Sequence, residues 1–217
     1  MKKTIKSTIL SGIMVLLSVS IAIGQGLDDQ RMKFGFGIKA GANYAGIYDE
    51  KAENFVADGK FGFTVGAWVS MPLAPLLALQ PEIAFNQKGF ESKGQFLGLD
   101  YKATHTSNYV DLPVLLALRP AKWLNIVAGP QFSFLISQST KLEIGDFNNE
   151  AKEEFDKDNF TIRKFTVGLH AGLDFVFSKV YVSPRVGLDF LDNNGDGTTN
   201  NPKYKNIYGQ LTLGYRF

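Results

Sequence analysis

Leu211-Thr212-Leu213-Gly214-Tyr215-Arg216-Phe217 decides the fold. Apolar or aromatic side chains stand at every second position, small or polar ones lie between them, and the run stops on an aromatic residue. A period of two sends the two sets to opposite faces of a strand. An apolar face ending on a terminal aromatic is how the closing strand of a bacterial outer-membrane barrel reads.

Seven further runs alternate in the same way. Phe34, Phe36, Ile38, Ala40, Ala42 and Tyr44 oppose Gly35, Gly37, Lys39, Gly41 and Asn43. Phe61, Phe63, Val65, Ala67 and Val69 oppose Gly62, Thr64, Gly66 and Ser70. Leu77, Leu79, Ile83 and Phe85 stand against Gln80, Glu82, Asn86 and Lys88. Val110, Leu112, Val114, Leu116 and Leu118 alternate with Tyr109, Asp111, Pro113 and Ala117. Leu124, Ile126, Phe132, Phe134 and Ile136 oppose Asn125, Gly129, Gln131 and Ser133. The longest clean run sets Phe165, Val167, Leu169, Ala171, Leu173, Phe175 and Phe177 against Lys164, Thr166, Gly168, His170, Gly172 and Asp174. Val182, Val186, Leu188 and Phe190 oppose Ser183, Arg185, Gly187 and Asp189.

The connections between runs alternate in length. Residues 46–59, Gly89 to Ser107, Ser139 to Asn159 and Leu191 to Lys203 read as long polar loops. Pro72 to Pro75, Arg119 to Ala121, and Ser178 with Lys179 read as short turns. Long loops on one rim and short turns on the other are the mark of an up-and-down barrel. No stretch after Ile23 is apolar for 18 residues, as a spanning helix requires. Closed β-structure is the other way to satisfy every backbone group in lipid. The expectation is all-β: an eight-stranded antiparallel up-and-down transmembrane β-barrel preceded by a signal peptide.

Alternation alone does not say which face is inside, and a soluble lipocalin-like barrel would place its apolar face inward. Three features favour apolar faces turned outward. The polar faces are rich in glycine, which suits a narrow lumen. They carry both signs of charge, Lys39, Glu82, Asp111, Asp174, Arg185, Asp189 and Arg216, which can pair inside. Aromatics cluster near strand ends, at Tyr44, Phe61, Trp123, Phe177, Phe190, Tyr204 and Tyr215, as interface girdles require. An eight-stranded barrel is just wide enough for its own side chains, so the lumen is expected to be plugged.

The N-terminus fits this location. Lys2, Lys3 and Lys6 precede an apolar stretch from Ile9 to Ile23, and Ala22 and Gly24 suit a cleavage site before Gln25. Residues 1–24 are therefore expected to be a signal peptide and 25–217 a single barrel domain. Without those three lysines, the 23 basic and 21 acidic residues of the chain come close to balance. Basic residues do not cluster as on a nucleic-acid-binding face. The chain has no Cys, which excludes disulfides and a thiol nucleophile.

Several segments resemble the PorT-family group of small outer-membrane barrels common in Bacteroidetes. They are the signal ending at Gln25, the Phe34-Gly-Phe-Gly-Ile-Lys-Ala-Gly-Ala-Asn43 strand, Tyr109-Val-Asp-Leu-Pro-Val114, Ala128-Gly-Pro130 and the aromatic C-terminus. The resemblance covers nearly all of the chain after the signal. It implies an eight-stranded barrel in the outer membrane. The family's namesake is associated with protein secretion, which makes secretion-machinery proteins an expected partner class. The other expected partners are outer-membrane lipid and lipopolysaccharide, with the barrel itself a monomer.

Candidate chemistry is sparse. Asp192, Asn194, Asp196 and Gly197 spell the first half of an EF-hand loop, whose oxygens at alternate positions could hold calcium. Position twelve is Lys203 rather than the bidentate Glu, so a polar hairpin loop is the preferred reading. His105 and His170 are the only histidines. His105 near Ser107 is the one pairing that hints at an enzyme of the outer rim, but no Gly-x-Ser-x-Gly or metal spacing accompanies it. The sequence therefore points away from an enzyme and implies no cofactor. It favours a structural or interaction role, with a narrow pore as the alternative.

Overall fold

The computed structural model describes residues 30–48, 57–96, 99–144, 147–153, 163–193 and 204–217. A short 3-10 helix (Gln30–Met32) leads into nine strands. They are β1 (Gly35–Tyr48), β2 (Ala57–Ala74), β3 (Leu77–Phe96), β4 (Leu99–Ala121), β5 (Leu124–Ile144), β6 (Phe147–Glu153), β7 (Phe165–Phe177), β8 (Val180–Asp189) and β9 (Lys205–Arg216). Every pairing is antiparallel. Eight strands close a ring in the order β1-β2-β3-β4-β5-β7-β8-β9, and β9 returns to β1 with Ala42 opposite Leu211 and Ile38 opposite Tyr215. The Phe217 N–H extends the seam by donating to the Phe36 carbonyl at 3.0 Å. Closure leaves no unpaired edge around the ring, so the backbone is satisfied without water.

The sequence reading is corrected at the upper rim. Gly89 to Ser107 is not a loop along most of its length. There β3 and β4 run on as a tall hairpin, with Phe90 opposite His105 and Phe96 opposite Leu99. Within Ser139 to Asn159, β5 continues to Ile144 and the ninth strand, β6, pairs back on it from Gln138–Glu153 to Ile144–Phe147. Above the bilayer the outward face of a strand meets water instead of lipid, while Phe90, Ser92 and Ala103 stay buried on the inward face, so no apolar-out, polar-in alternation marks these segments in the sequence. The ladder carries on because the hairpins supply threonines and cross-strand ion pairs. Lys102 meets Glu91 at 3.0 Å, and Lys93 meets Asp58 at 2.7 Å.

The faces sort as the alternation requires. Phe36, Ile38, Phe63, Val65, Ile83, Leu116, Ile126, Leu169, Val186, Leu211 and Leu213 are exposed, while polar and charged residues outnumber apolar ones among the buried side chains. An exposed belt of this size is untenable in water and natural in lipid. At its upper edge the outward residues turn polar in register. Gln87 donates to Asn108 at 3.2 Å, and Asn108 donates to Ser137 at 2.9 Å. A β-bulge on β5 at this level changes its face parity, since Tyr109 pairs Leu135 but Asn108 pairs Ser137. Aromatics mark both edges. Phe36 stacks on Phe217 with centroids 5.0 Å apart at the short-turn rim, and Tyr44 meets Phe61 at 5.0 Å at the other. Six of the seven expected girdle residues are exposed. Tyr204 is the exception. It is 7% exposed, turned inward, and packed edge-on against Phe90 at 5.0 Å.

Candidate functional site

The site this fold offers is its lumen, where parity brings charged residues from many strands onto one axis. At mid-height, Glu82 of β3 bonds the Lys39 ammonium of β1 and accepts from Gln80 Nε2 at 2.9 Å. Arg185 of β8 reaches Glu82 Oε1 at 3.4 Å and Asp174 Oδ1 of β7 at 2.5 Å. β3 and β8 stand on opposite sides of the ring, so this cluster bridges the lumen from wall to wall. Two cations meet two carboxylates, and all four are buried. Charges this far from water are tolerable only when paired and hydrogen-bonded.

A second layer lies nearer the tall hairpins. The Lys88 ammonium sits 3.5 Å from Asp111 and 3.7 Å from Asp189, and 4.7 Å from the ring centres of both Tyr109 and Tyr208. Asn86 donates to Asp111 at 2.5 Å, and Asn206 donates to Asp189 at 2.9 Å. Between the layers, His170 Nδ1 lies 2.8 Å from Gln131 Oε1 and 2.9 Å from the Tyr208 hydroxyl. Asn43, Asn86 and Gln210 join β1, β3 and β9 through bonds of 2.9–3.1 Å. Toward the short-turn rim the filling becomes apolar. Trp68 packs on Tyr181 at 4.9 Å, and Ala78, Leu115, Ala117 and Val127 form a small cluster. From the Lys88 layer down to the Trp68–Tyr181 layer the lumen is thus occupied by its own side chains, as expected for eight strands.

The residues singled out from sequence fare differently. Lys39, Glu82, Asp111, Asp174, Arg185 and Asp189 do converge inside, while Arg216 stays at the rim and donates to the Lys33 carbonyl at 3.1 Å. Lys88, whose place on an inward face was legible, joins them as a buried cation. In sequence, Arg119 belongs to a short turn. It is 4% exposed and points inward, as its parity with Ala117 would have shown. His105 lies above the belt, where burial lowers its pKa. Its Nδ1 lies 3.0 Å from Thr140 Oγ1 and its ring stacks on Phe90 at 4.6 Å, with Ser107 further down the same strand face. Of the calcium candidates, Asn194 and Asp196 lie outside the described residues. Asp192 has its carboxylate 4.0 Å from Lys205 Nζ, and its carbonyl accepts from Arg163 Nε at 2.8 Å. Residues 1–24 also lie outside the described residues.

Closed antiparallel ring, lipid-facing belt and a lumen of paired charged side chains define a transmembrane β-barrel of the outer-membrane class. The chain belongs to the outer membrane protein beta-barrel domain family, which it matches over residues 24–191. Its location is accordingly the outer membrane. No curated protein matches it by sequence. Among solved structures it is similar to the attachment invasion locus protein Ail of Yersinia pestis, with 13% identity and a TM-score of 0.46 over 84% of this chain and 99% of that one. OprG from Pseudomonas aeruginosa shares 14% identity with a TM-score of 0.40, over 84% and 95%. The outer membrane protein AlkL shares 13% identity with a TM-score of 0.42, over 84% and 90%.

Proposed function

We propose that this chain is a non-conducting barrel with a structural and interaction role, holding the β3–β6 hairpins above the membrane as a surface for partners. The observation that carries the reading is the wall-to-wall cluster of Lys39, Glu82, Asp174 and Arg185, which leaves the lumen closed to ions. A transport route would need a continuous wet path, and the Trp68–Tyr181 layer adds an apolar barrier below the charges. The tall hairpins give the chain a polar extension that a plain membrane plug would not need. Across that surface Lys93 pairs with Asp58 and Lys102 with Glu91 between neighbouring strands.

The PorT-type motifs support a finer version, in which the partners belong to protein secretion and the lipid contacts include lipopolysaccharide. In that version residues 1–24 direct export and are removed, and the barrel works as a monomer. Planar-bilayer recording tests the closed lumen. No conductance steps are expected from the intact protein, and large stable steps would overturn the reading in favour of a narrow pore. Crosslinking in intact cells tests the partner class. Capture of secretion-machinery subunits supports the accessory role, and capture of lipopolysaccharide alone restricts the protein to an envelope role. Calcium at Asp192, Asn194 and Asp196 is tested by titration, with loop proteolysis as the readout; no protection by calcium would remove that site.

A further inference from the structure

We infer that the short-turn mouth of the barrel is a binding site for a phosphate group. A cavity of about 430 Å³ opens there, where short turns face the periplasm. Arg31, Arg119, Lys122, Lys179 and Arg216 all line it, together with Trp123, and no acidic side chain is among its described lining residues. These cations come from four separate places: the 3-10 helix, the end of β4 with its turn, the β7–β8 turn and the end of β9. Chain neighbours alone do not account for such a gathering.

Arg119 supplies the second observation. Its side chain is buried, with its residue 4% exposed. Nη1 donates to the Arg31 carbonyl at 2.7 Å and Nη2 bonds the Ser70 hydroxyl, yet Nε has no hydrogen-bond partner. The two nitrogens that are satisfied face neutral oxygens, and no carboxylate of the described residues makes a direct ion pair with the guanidinium. A buried guanidinium in that state is costly, and an anion in the cavity removes the cost. At mid-lumen the same chain solves the problem internally, giving Lys39 and Arg185 the carboxylates of Glu82 and Asp174. At the mouth, the described lining offers Arg119 none.

The geometry favours phosphate over a carboxylate. Donors arrive from several sides of the cavity, and a tetrahedral oxyanion presents acceptors in all those directions, whereas a carboxylate's lie in one plane. Two sources offer this chemistry: free phosphate in the periplasm, and the headgroup of an inner-leaflet phospholipid. Trp123 is 56% exposed on the lip, at the level where aromatic and basic residues meet headgroups. A headgroup can therefore reach the cavity without leaving the bilayer.

The test uses the full-length barrel purified in a maltoside, a detergent without phosphate. Calorimetric titration with inorganic phosphate and with pyrophosphate should give saturable binding. Lys122→Gln with Lys179→Gln should weaken it at least fivefold, since both side chains are exposed and leave folding intact. Arg119→Gln should weaken it tenfold or more, provided the heat-modifiable band of a folded barrel remains. Native mass spectrometry then separates the sources. One retained phosphatidylglycerol, displaced by phosphate, identifies a lipid site, and phosphate binding without retained lipid identifies a soluble one. No saturable binding by either probe would overturn the inference. So would binding that emerges only in Asp28→Asn with Asp29→Asn, because the chain's own carboxylates would then be the occupants.

Discussion

Two groups of cations lie along the barrel's axis, and they are built in opposite ways. At mid-lumen Lys39, Lys88 and Arg185 are each answered by carboxylates on other strands, Glu82, Asp111, Asp174 and Asp189. At the short-turn mouth Arg31, Arg119, Lys122, Lys179 and Arg216 line a cavity whose described residues include no acid. The first arrangement is self-sufficient: it closes the pore and needs nothing from outside. Arg119 in the second is incomplete by the same standard, with Nε left without a hydrogen-bond partner. The contrast teaches that charge inside this barrel has two uses, filling where carboxylates answer it and recognition where, as at Arg119, none of the described residues does.

Breaking the paired group should have the largest effect. Arg185→Met leaves Asp174 buried without its cation, and should cost about 3–5 kcal/mol in urea unfolding from lipid vesicles. Placing a charge on the lipid side tests the other face of the same strands. Leu211→Arg should cost about 2–4 kcal/mol in the same assay, because an exposed belt position near the midplane would carry an ion. Converting the mouth into a second lumen sharpens the contrast. Asn125 is buried on the cavity wall, so Asn125→Asp gives the cations a partner. Stability should rise by about 1 kcal/mol, while phosphate affinity in calorimetry falls tenfold or more. The smallest effect belongs to Lys122→Gln with Lys179→Gln. Unfolding free energy should stay within about 0.5 kcal/mol of the parent, so that any loss of binding is a loss of recognition.

What was legible in the sequence follows from where the chain meets lipid. There, a one-residue slip would bury an apolar side chain in the lumen and send a charge into the bilayer, so register is written into the alternation. Phe165 to Phe177 could be assigned residue by residue for that reason. Above the belt, outward residues such as Thr104 and Thr106 meet water instead of lipid, and the continuation of β3, β4 and β5 leaves no apolar-out pattern to read. β6 leaves no mark in the sequence for the same cause, since its acidic residues resemble a solvated loop. Tyr204 reads as a girdle residue because it is an aromatic at a strand end, whereas parity with Asn206 and Tyr208 turns it inward. The mouth was illegible for a different reason. Its cations sit in turns and termini, far apart along the chain, and only ring closure brings Arg31, Arg119 and Arg216 around one opening.

The central claim is that apolar faces meet lipid and charged faces fill a dry axis. Because the chain has no Cys, single cysteines at Leu211, Thr212 and Leu213 can each carry one nitroxide label in the refolded barrel. In lipid vesicles, labels at Leu211 and Leu213 should collide freely with oxygen and be shielded from a water-soluble nickel chelate, while the label at Thr212 is immobile and shielded from both. Nickel access at Leu211 and Leu213, with oxygen access confined to Thr212, would mean that the barrel is turned inside out.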